Sequence, residues 1–345
     1  MSVTEDTEHD HRTDEVLDRG RRLFEPAVRA AVDSLSPAVR PVAAYHFGWC
    51  DEHGNPARAG SGKAIRPTLA LLAAEAVGSD PAPAVPAAVA VELVHNFSLL
   101  HDDVMDGDTT RRHRPTAWTV FGTNTAILTG DALLTLALDV LASSRAHAAQ
   151  EGLRMLSATV LDLINGQSAD LDFEERRDVG LEECVRMAEG KTSALLGSAC
   201  ALGAAFGGGG ERVEALREFG SSFGTAFQHA DDLLGIWGRP EATGKPVHSD
   251  LRSRKKTLPV VAALRSGTPA GRELADFYLD DRELSDAEIA RAADLIEGAG
   301  GRRWSREQAD LLLDRALDAL RSADLAPRPA GELAGLARFA VDRTH

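Results

Sequence analysis

The sequence predicts an all-α fold on three observations: from about Asp14 onward Ala and Leu are frequent, apolar residues recur at helical spacing with few β-branched alternations, and clusters of Gly and Pro punctuate them. No run reads as a strand. Composition does not shift along the chain and no long linker interrupts it, so residues 14–345 read as one domain. The first thirteen residues, polar and acidic, read as a disordered tail; their HDHRTDE run is of a kind that is usually solvated rather than metal-bound.

Long helices are expected at 14–34, 63–78, 84–106, 124–149, 152–173, 181–206 and 211–237, with shorter ones at 257–266, 285–298, 305–322 and 330–343. The breaks between them follow turn chemistry: GNPARAGSG at 54–62, GSDPAP at 78–83, four glycines at 207–210 and GRPEATGKP at 238–246.

The chain has 345 residues, and 53 acidic against 38 basic side chains give a formal charge of −15. Such a field repels nucleic acid and anionic lipid, so any cluster of Lys or Arg needs a local reason. Cys50, Cys184 and Cys200 are far apart and without CxxC spacing, which predicts reduced thiols rather than disulfides or a zinc site. The N-terminus lacks the basic start and apolar middle of a signal peptide, and the uncharged stretch 192–210 is mostly Ala, Gly and Ser. A cytoplasmic protein without a membrane span is the expectation.

Within the apolar helix VELVHNFSLLHDDVMD, aspartates stand at 102, 103 and 106. Asp102 and Asp106 fall about 40° apart on one face and Asp103 about 100° away. Like charges at that spacing destabilise a helix, and a hard divalent cation resolves the conflict. Magnesium takes one or two carboxylates, keeps several waters and completes its shell with phosphate oxygens, which makes this a diphosphate-binding arrangement. A second pair, Asp231 and Asp232, follows FGTAFQH, with Gln228 on nearly the same face; Gly235 stands where a third aspartate would match Asp106.

Against the acidic background, cations recur beside breakers: Lys63 and Arg66, Arg111 and Arg112, Lys191 next to Thr192, Lys245, and Lys255 with Lys256. Singly each reads as a solvated charge. Together they exceed what one diphosphate requires, and the mixture of planar Arg forks and Lys point charges suits two.

In order, GKAIRP, HNFSLLHDDVMD, TTRRHRP, GKT, FQHADDLLGIWG and TGKPVHSDL cover roughly residues 60–260 and resemble the trans-prenyl diphosphate synthases, also called polyprenyl synthetases. The resemblance implies an isoprenoid synthase-type helical bundle around a central cavity, the two aspartate motifs facing each other across it, and a homodimer. It implies that Asp102, Asp106 and Asp231 hold three magnesium ions on an allylic diphosphate, which Arg111, Lys191, Lys245 and Lys255 also contact. Lys63, Arg66, His95 and Arg112 resemble a metal-free site for isopentenyl diphosphate. Thr192, Gln228, Gln167 and Asp170 resemble residues that line the reaction centre or support the metals. The chain departs from the family pattern at Gly235, at His113, where a Gly usually follows the paired arginines, and at Arg254, where a Gly often precedes the late lysine.

Product length depends on the cavity beneath the first motif. Ser98 lies under Asp102 on the helical wheel, whereas Phe97 is about 140° away, so geometry alone makes Ser98 the wall. An aromatic five residues before the motif is instead similar to the geranylgeranyl-type synthases, where that ring closes the pocket at twenty carbons. The expected activity is therefore condensation of isopentenyl diphosphate with dimethylallyl, geranyl or farnesyl diphosphate to give geranylgeranyl diphosphate, with plain helix packing the other reading of Phe97 and shorter farnesyl or longer products left open. Rival readings are a class I terpene cyclase, which needs only one diphosphate and leaves Lys63, Arg66 and Arg112 without a purpose, and a non-catalytic partner subunit, which would not need Asp102, Asp106 and Asp231.

Overall fold

A computed structural model describes residues 3–57, 62–238, 247–279 and 282–342, with side chains from Thr13. Met1 and Ser2 of the tail expected over 1–13 lie outside the described residues, as does Lys245, and the backbone from Val3 is part of the first helix. The chain runs through α1 (Val3–Asp33), α2 (Arg40–His46), α3 (Ile65–Ala76), α4 (Val85–Met105), α5 (Ala117–Phe121), α6 (Thr123–Ala142), α7 (Ala149–Glu175) and α8 (Leu181–Ala188). A π turn, Glu189–Ser193, leads into α9 (Ala194–Phe206), followed by α10 (Arg212–Trp237) and α11 (Ser249–Arg252). The last elements are α12 (Leu258–Leu264), α13 (Pro269–Tyr278), α14 (Asp286–Gly298), α15 (Gly301–Ser322) and α16 (Pro327–Val341). Every helix expected from the sequence is present, and the all-α class holds. The expected helix 181–206 is interrupted by the π turn. α2, α5, α11 and α13 were not anticipated, nor was the small hairpin of β1 (Thr110–Arg111) and β2 (Arg114–Pro115).

The chain forms two compact units, one of residues 1–160, 198–217 and 322–335, the other of 161–197, 218–321 and 336–345. In the first unit α4 is buried on nearly every face, and α6, α3 and α1 pack against it. Leu93, Leu100, Leu133 and Leu141 are fully buried there, each contributing about 2 kcal/mol of apolar burial. Among the described residues, α6 and the segment 82–105 are long and apolar enough to cross a membrane. They differ in burial: 67% of the segment's most apolar window is buried and only 39% of that of α6, which leaves Leu128 60% exposed.

In the second unit α10, α12, α13 and α14 enclose a core that includes Ile236, Val260, Leu274, Tyr278 and Ile296. A second cluster joins Phe173, Cys184, Leu258 and Val261. The starts of its helices follow capping chemistry. Thr268 Oγ1 accepts from Gly271 N at 3.0 Å with Pro269 in the first turn, and Ser285 with Glu288 forms a reciprocal capping box.

Both departures from the glycine pattern adopt left-handed backbone. His113 has φ +60 in the hairpin turn and Arg254 has φ +51. A non-glycine residue there costs about 1–2 kcal/mol. At Arg254 the guanidinium offsets that cost, donating to the carbonyl of Tyr278 at 2.8 Å and to that of Arg282. We predict opposite outcomes for one chemical change: His113→Gly raises the unfolding free energy by about 1 kcal/mol, whereas Arg254→Gly lowers it. Urea unfolding of the two variants checks the pair of signs.

Candidate active site

In the first unit, α4 delivers the first acidic motif at its C-terminal end. The Asp106 N–H donates to the Asp102 carbonyl at 2.8 Å, which stacks the two residues one turn apart, and Gly107 with φ +66 ends the helix. Asp102 and Asp106 are partly accessible, whereas Asp103 is buried. Asp103 Oδ1 accepts from Arg111 Nε at 2.6 Å, while its Oδ2 has no hydrogen-bond partner. Burial pushes the Asp103 carboxyl up, against the pull of Arg111. Asp103 thus anchors the arginine that begins the hairpin turn, and the other two carboxylates are partly accessible.

Beside this motif the first unit gathers cations. Arg66 Nη1 lies 3.4 Å from His95 Nε2. The Arg112 guanidinium packs on the backbone at Gly62, 2.7 Å from where a Cβ would sit, and so lies next to the Lys63 segment. Burial first, then the charges of Arg66, Arg112 and Arg111, hold His95 well below the usual histidine value. Neutral His95 can donate one N–H to an anion without adding charge. Arg114 serves the fold instead: it covers the Tyr45 ring at 4.2 Å and donates to the Cys50 carbonyl at 2.9 Å. Glu92, which the sequence reading passed over, faces these cations; Asn96 Nδ2 donates to its Oε1 at 3.1 Å, and burial pushes its carboxyl up. Phe97 and Ser98 are both buried, and Ser98 Oγ donates to the His95 carbonyl at 2.9 Å.

In the second unit, the π turn brings Lys191 and Thr192 onto α7 and α10. Lys191 Nζ donates to Asp170 Oδ2 at 2.6 Å, and Thr192 Oγ1 donates to Gln228 Oε1 at 2.6 Å. Gln228 Nε2 donates to Asp232 Oδ1 at 2.7 Å, and the Leu258 N–H donates to Asp232 Oδ2 at 2.9 Å. The adjacent aspartates therefore divide their work. Asp231 is exposed, while Asp232 is buried, its carboxyl pushed up to about 8 by that burial, and it ties α10 to the start of α12. Gln167 is buried on α7. A Cβ at Gly235 would overlap the Asp250 carboxylate, so Asp250 of α11 occupies the space beside Asp231 that a third motif aspartate would enter. Of the two late lysines, Lys256 reaches the carbonyls of Phe173 and Glu174 and caps α7. Lys255 is held through its backbone, its N–H on the Asp250 carbonyl at 2.9 Å and its carbonyl accepting from Tyr278 Oη at 3.1 Å. A cavity of about 690 Å³ also opens in this unit, but it is lined by residues such as Asp162, Glu218 and Arg315 and by none of the expected site residues.

Among the described residues no three His, Cys, Asp or Glu side chains come together as a metal cluster. The donors present suit magnesium, which needs few protein carboxylates and only hard oxygens. Asp102 and Asp106 are accessible at the negative end of a helix whose last turn holds no basic residue, where a cation is favoured.

Buried His229 and half-buried His46 set an acid limit for the protein. Burial lowers His46 to about 3 and His229 to about 4, and His229 Nδ1 lies 2.8 Å from Ser305 Oγ. Above pH ~6.5 each is neutral whether folded or unfolded; below it only the unfolded chain takes up the proton. The stability these groups contribute is complete above pH ~6.5 and declines toward pH 4, by about 1.4 kcal/mol per unit for each. Asp232, raised to about 8, acts in the opposite direction over the same range, so chemical denaturation of the parent and of His229→Gln at pH 7 and pH 5 checks this, with the parent's midpoint expected to fall by more than the variant's.

An all-α scaffold with acidic helix ends and a set of cations beside the first of them is the isoprenyl synthase type of fold. A polyprenyl synthetase from Streptomyces coelicolor A3(2) superposes with a TM-score of 0.91 at 49% identity, covering 95% of this chain and 99% of that one. The (2E,6E)-farnesyl diphosphate synthase of Mycobacterium tuberculosis is 50% identical over 336 residues, 96% of this chain and 94% of that protein. A geranylgeranyl diphosphate synthase of the same organism is 44% identical over 316 residues, 90% of each chain. The polyprenyl synthetase family model matches residues 49–296, and the chain belongs to that family. It is a prenyltransferase.

Proposed function

We propose that this prenyltransferase condenses isopentenyl diphosphate with dimethylallyl, geranyl or farnesyl diphosphate and releases geranylgeranyl diphosphate. The observation that carries the two-substrate reading is the cation set of Arg66, His95 and Arg112 near Lys63, which stands in addition to the carboxylates of Asp102 and Asp106. A cyclase, with one diphosphate to hold, has no use for it.

Asp102 and Asp106, with Asp231, are the ligands we assign to three magnesium ions, which when bound neutralise the allylic diphosphate as a leaving group. Arg111, oriented by Asp103, and Lys191, Lys245 and Lys255 add positive charge to the same group. Lys63, Arg66, Arg112 and neutral His95 hold isopentenyl diphosphate so that its double bond meets the allylic carbon as the bond to oxygen breaks. The new carbon–carbon bond forms there, and a proton leaves the isopentenyl unit for the departing diphosphate. Gln228 and Thr192 are held in one orientation by Asp232, and Asp170 holds Lys191 until substrate replaces it.

Phe97, buried five residues before Asp102, supports a twenty-carbon product. The name of the 50% identical M. tuberculosis relative favours fifteen carbons instead. Incubation with magnesium, isopentenyl diphosphate and each allylic diphosphate, followed by phosphatase and chain-length analysis, separates these. Geranylgeraniol is expected; farnesol as the end product would support the shorter reading. Hydrocarbon from one allylic substrate would indicate a cyclase, and no product in any mixture a partner subunit.

The enzyme we infer is cytoplasmic, spans no membrane and is a homodimer. The apolar, half-exposed α6 supports the last point, since a second copy would cover Leu128 and its neighbours. Light scattering in solution tests it.

A further inference from the structure

We propose that His101 is a positioning residue for product length, acting through Phe97; this rests on the reading of Phe97 as the wall of the product cavity. Phe97 and His101 are four residues apart on α4, so their side chains meet on one face. Their ring centroids are 4.9 Å apart and the planes cross at 70°, an edge-to-face pair. A phenylalanine on a helix has two accessible χ1 wells, and its neighbours decide which it occupies. His101 is the aromatic neighbour of Phe97, and a wall must stay in one well to measure length.

His101 is itself fixed from the opposite side. Its Nε2 lies 3.0 Å from the Ile127 carbonyl and 3.7 Å from Asp131 Oδ1, both on α6. The imidazole fills the notch left at Gly130, where a Cβ would overlap Nε2 and Cδ2. Thus α6 holds His101, His101 holds the Phe97 ring, and the ring closes the space below Asp102. A histidine that merely filled the α4–α6 interface would affect stability without changing which product is made.

The test compares product distributions of four magnesium-loaded enzymes given farnesyl and isopentenyl diphosphates: the parent, Phe97→Ala, His101→Ala and Gly130→Ala. Phe97→Ala is expected to make longer products its main output. His101→Ala is expected to raise the fraction of products longer than the parent's main product at least tenfold. Gly130→Ala is expected to do the same, because its methyl drives the imidazole from the notch. Where His101→Ala does not fold, His101→Gln, which can still reach the Ile127 carbonyl but has no ring, takes its place with the same expectation. A lengthened product from Phe97→Ala alongside a parent-like distribution from the His101 variant overturns this proposal and leaves the wall standing. Parent-like products from Phe97→Ala remove the wall, and with it this proposal.

Discussion

Asp102→Ala is expected to lower turnover by about three orders of magnitude, roughly 4 kcal/mol of transition-state stabilisation, while the fold survives. The size follows from what the residue is assigned to do. With Asp102 gone, Asp106 is the one accessible carboxylate left at the end of α4, beside buried Asp103, and the chain would hold less of the magnesium that would neutralise the leaving diphosphate. The fold survives because Asp102 is partly accessible and stands four residues from Asp106 at the negative end of a helix. Removing it relieves a like-charge pair and an unfavourable dipole interaction, each worth a few tenths of a kcal/mol. Asp103→Ala should behave differently, because its buried carboxylate holds Arg111 at 2.6 Å and its loss disturbs the hairpin as well as the chemistry. Steady-state rates and melting temperatures for the two variants separate these cases. A turnover within tenfold of the parent for Asp102→Ala would remove the first motif from the mechanism.

That contrast marks where the sequence was legible. Helices α4 and α10 could be read from apolar runs ending in acidic pairs, because helical periodicity is a local property. The division of labour within each pair was not local. Asp103 is distinguished from Asp102 by Arg111 returning on a hairpin, and Asp232 from Asp231 by the Leu258 N–H arriving from α12. Nothing in DDVMD or DDLL specifies those partners. Gly235 is a sharper case: on sequence it removes a carboxylate from the second motif, yet α11 brings Asp250 into the same space. α13 was missed although Thr268 and Pro269 announce its start and its apolar residues follow a helical period, because it spans only ten residues between turn signals. The π turn at Glu189–Ser193 has no composition signal at all; GKT reads as helix, and the extra residue in the turn is imposed by the packing around it.

That packing yields the second large effect, at Gly166→Ala. In a helix interior this substitution ordinarily stabilises by about 1 kcal/mol, since alanine has the better propensity. Here the added Cβ would overlap the backbone nitrogen of Lys191 and lie 2.9 Å from the Gly190 carbonyl carbon. Gly190 in turn leaves no room, because a Cβ on it would lie 2.7 Å from the Asp162 carbonyl. These contacts are backbone to backbone, so no side chain can rotate to relieve them, and α7 must separate from the π turn. Overpacking of this kind costs about 1–3 kcal/mol and reverses the sign of the propensity gain. The displacement falls on Lys191 and Thr192, whose bonds to Asp170 and Gln228 are both 2.6 Å long. A shift near 1 Å in positioning groups costs about 10²-fold in rate. Gly331→Ala on α16 is the matched control, because a Cβ there meets nothing within 4 Å. It should raise the melting temperature and leave turnover alone. If Gly166→Ala behaves as Gly331→Ala does, backbone contact between α7 and the π turn does not set the position of Lys191, and the two glycines matter for some other reason.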